Sequence, residues 1–262
     1  MKKSLIFSAM LLAVACSAAD KVIDLSKPTA WNNQKRVTVP QDGTISAAGS
    51  KGFIYQANEL IPVDDKHTYN FSGTVFVPTG KIGGGSYVGY FMYDAKKKII
   101  NQINAVSEPG STTELTEAIK KGATTLKIKA NKKWKAYGHF YIGFNVKDGE
   151  LSYDNSVSGI KAIKQDGNVM TITLFRPIYK DYPAGTKVRI QKSGSYFYSN
   201  IIRPTANKAV NFQNELNKSK FWAKTAYIRP MILVNWGLSA KTDSAKVETQ
   251  YKNMKLTIKE IK

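Results

Sequence analysis

Apolar and polar residues alternate one for one through much of this chain, and that period does most to limit the fold. Over residues 67–77, Tyr69, Phe71, Val75 and Val77 share one face, while Thr68, Asn70, Ser72 and Thr74 share the other. Leu126 and Ile128 alternate with Lys127 and Lys129, and Met170, Ile172 and Leu174 with Thr171 and Thr173. Val188 and Ile190 alternate with Lys187 and Arg189, and Met254, Leu256 and Ile258 repeat the pattern near the end. A period of two is that of a strand with one buried and one wet face.

Turn chemistry falls between these runs. Asp42-Gly43 and Asp166-Gly167 each separate two short alternating runs and predict tight hairpins. Tyr182-Pro183-Ala184-Gly185-Thr186 is a bend built on proline and glycine, and Gly83-Gly84-Gly85 predicts a flexible loop before a strand over 87–93. Helix signals are few. Ser111-Thr112-Thr113-Glu114 has the spacing of a capping box and predicts one or two helical turns through 121. A second short helix is predicted over 212–220. The expectation is an all-β chain: an antiparallel two-sheet β-sandwich, jelly-roll-like, with one or two short helices. Residues 20–262 are read as one domain. The polar stretch 148–158 is the alternative boundary, but it would leave two small open sheets.

The first nineteen residues read as an address. Lys2 and Lys3 precede an apolar run over 5–15, and small residues follow from Ala13 to Ala19. That is the layout of a secretory signal peptide, too short to span a bilayer. Ala13-Val14-Ala15-Cys16 resembles a bacterial lipoprotein box, with Ala13 where leucine is usual, which would make Cys16 the lipidated N-terminus. The alternative is plain cleavage after Ala15 or Ala19. Both routes lead out of the cytoplasm, to an outer-membrane lipoprotein, a periplasmic protein or a secreted one, with membrane contact only through the lipid. Cys16 is the single cysteine of the 262 residues. The mature chain then has no disulfide, thiolate metal site or cysteine nucleophile.

Charge narrows the partners. Without Lys2 and Lys3, 37 basic side chains stand against 19 acidic ones, a surplus of 18. Such a surplus attracts polyanions. Outside the cell these are acidic polysaccharides rather than nucleic acid. The lysines are scattered, densest at Lys96-Lys97-Lys98 and Lys120-Lys121, as on a solvated surface.

Few residues carry chemistry. In the run from Tyr137 to Phe144, Phe140, Ile142 and Phe144 would face the core, and Tyr137, His139 and Tyr141 would form an outward row of rings. Such rings offer flat faces to sugars and polar tips to hydroxyls, or else pack across strands. Trp31, Trp134, Trp222 and Trp236 are stacking candidates near strand ends, with core burial as the alternative. Trp134 leads them because Lys132, Lys133 and Lys135 flank it. Arg229 is a candidate fork for carboxylate or sulfate. Its neighbour Pro230 predicts an edge or bulged strand. Asp64-Asp65, Asp154-Asn155 and Asp243 are loop acids suited at most to structural calcium; no other cofactor is expected. His67 is read as a strand-end residue.

Catalysis has little footing. Glu108, Glu114 and Glu117 are not placed as a glycosidase pair. Gly-x-Ser-x-Gly and phosphate-loop motifs are absent from the sequence. The one enzyme class the residues could serve is a polysaccharide lyase, with Tyr141 or His139 as base and Arg229 or Arg189 against the uronate carboxylate.

The runs Val-Asp-Asp-Lys-His-Thr-Tyr-Asn-Phe-Ser-Gly-Thr-Val-Phe-Val (63–77) and Gly-Tyr-Phe-Met-Tyr-Asp-Ala-Lys-Lys-Lys-Ile-Ile (89–100) resemble strands of jelly-roll carbohydrate-binding modules of the family 4/9 and galactose-binding-like types. Residues 246–260 resemble their closing strand. The resemblance covers about half of the chain and leaves out 149–220. It implies an exported, non-catalytic β-sandwich that binds a polysaccharide, and it transfers no catalytic residue. Two alternatives stay open: a lyase on the same fold, and a structural or adhesive surface lipoprotein.

Overall fold

The computed structural model describes residues 20–32, 37–38, 43–49, 51–155, 159–199, 201–239 and 241–261. The leader with Cys16 lies outside the described residues, as does Asp42 of the first expected hairpin.

Strands are numbered in chain order. One sheet contains β1 (Lys21–Asp24), β2 (Val37–Thr38), β3 (Ile45–Ala48), β6 (His67–Phe76), β16 (Val210–Leu216) and β18 (Glu248–Glu260). Its order is β16-β6-β18-β3-β2, with β1 also on β18. A second sheet contains β4 (Phe53–Gln56), β5 (Ile61–Pro62), β7 (Gly85–Tyr93), β8 (Ile99–Ile100), β15 (Phe197–Tyr198) and β17 (Tyr227–Trp236). Its order is β15-β7-β17-β4, with β5 also on β17 and β8 on β7. The two sheets enclose one core. Tyr69, Phe71 and Val75 of β6 and Tyr251, Met254 and Leu256 of β18 meet Val88, Tyr90 and Met92 of β7 and Ile228, Ile232 and Val234 of β17. This is the antiparallel two-sheet sandwich that the alternation requires.

Tyr90 ties the layers together. Its buried hydroxyl accepts from the Phe71 amide (2.8 Å) and lies 2.8 Å and 2.9 Å from the carbonyl oxygens of Asn214 and Tyr69. Phe71 and Asn214 face each other across β6 and β16, so a hydroxyl from the opposite sheet sits within that ladder.

The chain between β8 and β15 builds a second buried cluster. After the four-residue helix α1 (Gln102–Ala105) come β9 (Thr113–Glu114), β10 (Thr125–Lys129), β11 (Phe140–Phe144), β12 (Ile160–Asp166), β13 (Val169–Leu174) and β14 (Lys187–Lys192). They form two three-stranded sheets, β10-β13-β12 and β11-β14-β9, around Leu126, Ile128, Ile142, Ile172 and Ile190. The Asp166-Gly167 turn joins β12 to β13, with Asp166 opposite Val169 and Gly167 at φ 55°. The polar stretch near 150 runs between the two clusters. Asn104 and Ser152 exchange two hydrogen bonds of 2.8 Å, and Leu151 packs against the sandwich core.

Several expectations are corrected. Thr113–Glu114 is a strand, not the start of a helix. Ser111 donates its hydroxyl to Glu108 O and accepts from the Ile190 amide, while Glu114 pairs with Lys129 and Lys187 instead of capping. Pairing with β14 and β-branched Thr113 outweigh the local box. The helix expected over 212–220 is strand β16, with Phe212, Asn214 and Leu216 turned inward, followed by a single 3-10 turn. Pro230 lies in an interior strand rather than at an edge; of the two expectations for this strand the bulge is the one met, between Leu233 and Trp236. The Pro230 carbonyl accepts from Ala57 N, so the side lacking an N–H faces the break between β4 and β5. Strand β14 has no wet face, for Arg189 is only 6% exposed and Gln191 is fully buried. Arg189 donates to the carbonyls of Lys147 and Glu150, holding the loop above it.

Candidate functional site

The second sheet is apolar on both faces. Strand alternation sends Val88, Tyr90 and Met92 of β7 inward and leaves Tyr87, Phe91 and Tyr93 outward. On β17 the outward set is Tyr227, Arg229, Met231 and Leu233, joined by Ile54 from β4. This outer face forms its own cluster, in which Met231 is fully buried beneath neighbouring rings.

A ladder of aromatic rings runs along it. Trp236 meets Tyr87 at 6.5 Å, Tyr87 meets Tyr198 at 4.9 Å, Tyr198 meets Tyr196 at 5.5 Å, and Tyr196 meets Phe91 at 5.5 Å, all edge-to-face. In each such contact the edge of one ring rests on the face of the next, an arrangement the ring quadrupoles favour. The outer members are exposed, Trp236 at 53% and Tyr198 at 48%.

Local chain features place these rings. Asn235 adopts a left-handed conformation at φ 53°, and the β7–β17 register shifts between Leu233 and Trp236. Asparagine tolerates that conformation better than most residues. Its buried side chain donates to the carbonyls of Ala47 (3.3 Å) and Gly49 (3.0 Å) and accepts from Thr249 Oγ1 (2.8 Å). The bulge thus turns Asn235 into the protein and Trp236 out beside Tyr87. Gly84 belongs to the same device, since a Cβ there would strike the backbone of Asn235. The glycine run expected to give a flexible loop instead allows close backbone approach. Gly89 acts alike on β7: a Cβ would strike Phe197 O, and its absence lets β15 bring Tyr198 to Tyr87.

Open clefts flank the ladder. One is lined by Gln102, Val106, Tyr196, Phe197, Tyr198 and Trp222. The other, at the Trp236 end, is lined by the glycine run 83–85, Ile201, Arg203, Gly237 and Leu238. Within the face, Arg229 stacks over Tyr93 at 5.3 Å and donates to Gln56 Oε1 at 3.2 Å. Its Nε is buried without a partner.

The residues singled out from the sequence are dispersed. Trp134 is a core residue at 4% exposure, with Nε1 donating to Ser111 O at 2.7 Å, so it presents no stacking face to solvent. The expected row of three rings is broken: Phe140 N bonds to Tyr137 O, making residues 137–140 a turn, and β11 begins only at Phe140. Exposed Tyr137 leans on His139 at 5.4 Å and on Phe140 at 4.9 Å, and Tyr141 is half-buried on the strand itself. Arg229 belongs to the sandwich while Tyr141 and His139 belong to the second cluster, and Arg189 is held by backbone carbonyls. Trp31 is buried, and its Nε1 donates to Leu25 O.

The loop acids considered for calcium use their oxygens on protein donors. Asp64 accepts from His67 and Lys66 N, Asp65 pairs with Lys218, and Asp243 accepts from Ala245 N. Asp154 takes Tyr179, Tyr182 (2.6 Å), Asn145 (2.9 Å) and Lys180 (2.7 Å). Burial pushes the Asp154 carboxyl up, but these four donors outweigh it and hold it below the usual range. Burial raises both tyrosines, as does the bond to Asp154. Among the described residues no three acidic, histidine or cysteine side chains converge as metal ligands. Among them too, no helix is long and apolar enough to cross a membrane.

No protein-family model and no curated protein matches the chain. Among solved structures, VP17, a capsid protein of bacteriophage P23-77, aligns over 92% of this chain and 96% of its own at 8% identity, with a TM-score of 0.17, a likeness that carries no argument.

Proposed function

We propose that this chain is an exported, non-catalytic carbohydrate-binding β-sandwich, and that it holds a polysaccharide on the outer face of its second sheet. The observation that carries this reading is the contiguous row Trp236–Tyr87–Tyr198, half-open to solvent with a cleft at either end. Flat rings in series suit the apolar faces of successive sugar residues, and the tyrosine hydroxyls suit their hydroxyl groups. The site draws on the architecture named by the carbohydrate-module resemblance but moves away from the turn at Tyr137.

The experiment is a glycan array of neutral and acidic polysaccharides with the mature protein at two salt concentrations. It is repeated with Trp236→Ala/Tyr198→Ala and with Tyr137→Ala. Saturable binding lost in the double variant and kept in Tyr137→Ala supports the ladder. Binding that follows Tyr137 instead returns the site to the turn. An array without signal ends the carbohydrate reading.

A further inference from the structure

The cleft at the Trp236 end differs in chemistry from the rest of the face. It encloses about 280 Å³, near the small end of ligand clefts (about 300–1,000 Å³) and suited to a single sugar residue. One wall is the exposed Trp236. Another is the glycine run 83–85, which places main chain rather than side chains against whatever enters. Among the described residues that line it, Arg203 alone is charged and none is a carboxylate.

Arg203 is exposed and makes no hydrogen bond or ion pair with any described residue. Many of the exposed lysines behave otherwise: Lys120, Lys127, Lys187 and Lys218 each reach a carboxylate. A guanidinium keeps its charge at any physiological pH and presents a planar fork that matches a carboxylate or sulfate through two parallel hydrogen bonds.

We infer that the Trp236–Arg203 cleft is an anion-reading subsite, with Trp236 stacking on one sugar ring and Arg203 clasping that ring's carboxylate or sulfate. The protein is then selective for acidic glycans. This inference rests on the proposed carbohydrate function. It assigns the selectivity to one side chain rather than to the diffuse positive charge of the surface.

The test measures dissociation constants by calorimetry for two matched pairs: oligogalacturonate with its methyl ester, and dextran sulfate oligomer with dextran. The proteins are wild type, Arg203→Gln, Trp236→Ala and Lys161→Gln. Lys161 is exposed on β12, away from the cleft, so its variant reports the same loss of charge without the subsite. Circular dichroism confirms that each variant folds. The expected result is about a tenfold loss, or about 1.4 kcal/mol, for an acidic member with Arg203→Gln and no comparable loss for its neutral partner. Lys161→Gln keeps the wild-type preference, and Trp236→Ala weakens both members of the pair. Loss with galacturonate alone identifies a uronate, and loss with dextran sulfate alone a sulfate ester. If Arg203→Gln behaves as Lys161→Gln does, or wild type binds acidic and neutral members equally, the inference is overturned while the carbohydrate reading stands. If wild type binds none of the four, both fall.

Discussion

Replacing Asn235 tests the device that presents Trp236. Asn235→Gly keeps the left-handed backbone accessible but removes three side-chain hydrogen bonds, leaving Ala47 O, Gly49 O and the buried Thr249 hydroxyl short of a partner. At about 1 kcal/mol for each bond in a buried setting, the loss is about 2–3 kcal/mol. Asn235→Ala removes the same bonds and also forces a Cβ-bearing residue without a polar tip to hold φ 53°, which adds about 1 kcal/mol. Urea unfolding followed by tryptophan fluorescence should rank wild type above Asn235→Gly above Asn235→Ala. For a chain of this size, each 1 kcal/mol lowers the melting temperature by about 2–4 °C. Both variants should lose glycan affinity as Trp236→Ala does, because Trp236 leaves its place beside Tyr87. An Asn235→Ala protein within about 0.5 kcal/mol of wild type, or one more stable than Asn235→Gly, would refute the reasoning.

Further outcomes follow from other sites. Gly84→Ala should cost about 1–3 kcal/mol, because its Cβ strikes the Asn235 backbone, and should weaken glycan binding in the same variant; calorimetry on the folded fraction checks both. Trp134→Ala empties part of the second cluster and should cost about 3–5 kcal/mol in denaturant melts, with ring-ladder binding unchanged. Hydrogen bonds from Lys129 and Lys187 pull the Glu114 carboxyl from its usual 4.5 down to about 2. The folded value is the lower one, so this contribution is complete above pH 4.5 and is lost as the pH falls towards about 2; Glu114→Gln should flatten the stability profile in that window. Asp154→Asn puts an amide among four donors and should cost about 2–3 kcal/mol at neutral pH, read from thermal melts.

The sandwich was legible because β6 and β18 keep a period of two, as β10 and β13 do in the second cluster. The outward set Tyr227, Arg229, Met231 and Leu233 can be read directly from strand alternation. What could not be read was that both faces of the second sheet are apolar and largely covered. A single strand shows which residues share a face, but the neighbour covering that face comes from elsewhere, here Tyr196 and Tyr198 some hundred positions from β7. Trp236 stood among the four stacking candidates, but nothing singled it out from the others, for a related reason. Strict alternation would assign Trp236 to the inner face with Val234, and only the bulge at Asn235 reverses it. An asparagine just before a tryptophan and a glycine is the signal that could have revealed it. Trp134 misled because its lysine neighbours suggested an open ring, whereas the indole bonds inward to Ser111. At Thr113–Glu114 the local helix signal was overruled by a strand partner more than seventy residues away.

The Tyr90 hydroxyl changes what counts as a finished sheet. In most sandwiches each sheet closes its own backbone bonds, so a hairpin or ladder can form before the layers meet. Here the Phe71 amide and the Asn214 carbonyl are completed by a side chain from the opposite layer. The β6–β16 pairing therefore reaches its native geometry only when β7 has docked. Hydrogen exchange at Phe71 should accordingly proceed only through openings that separate the two layers, which makes that one amide a gauge of global rather than local unfolding.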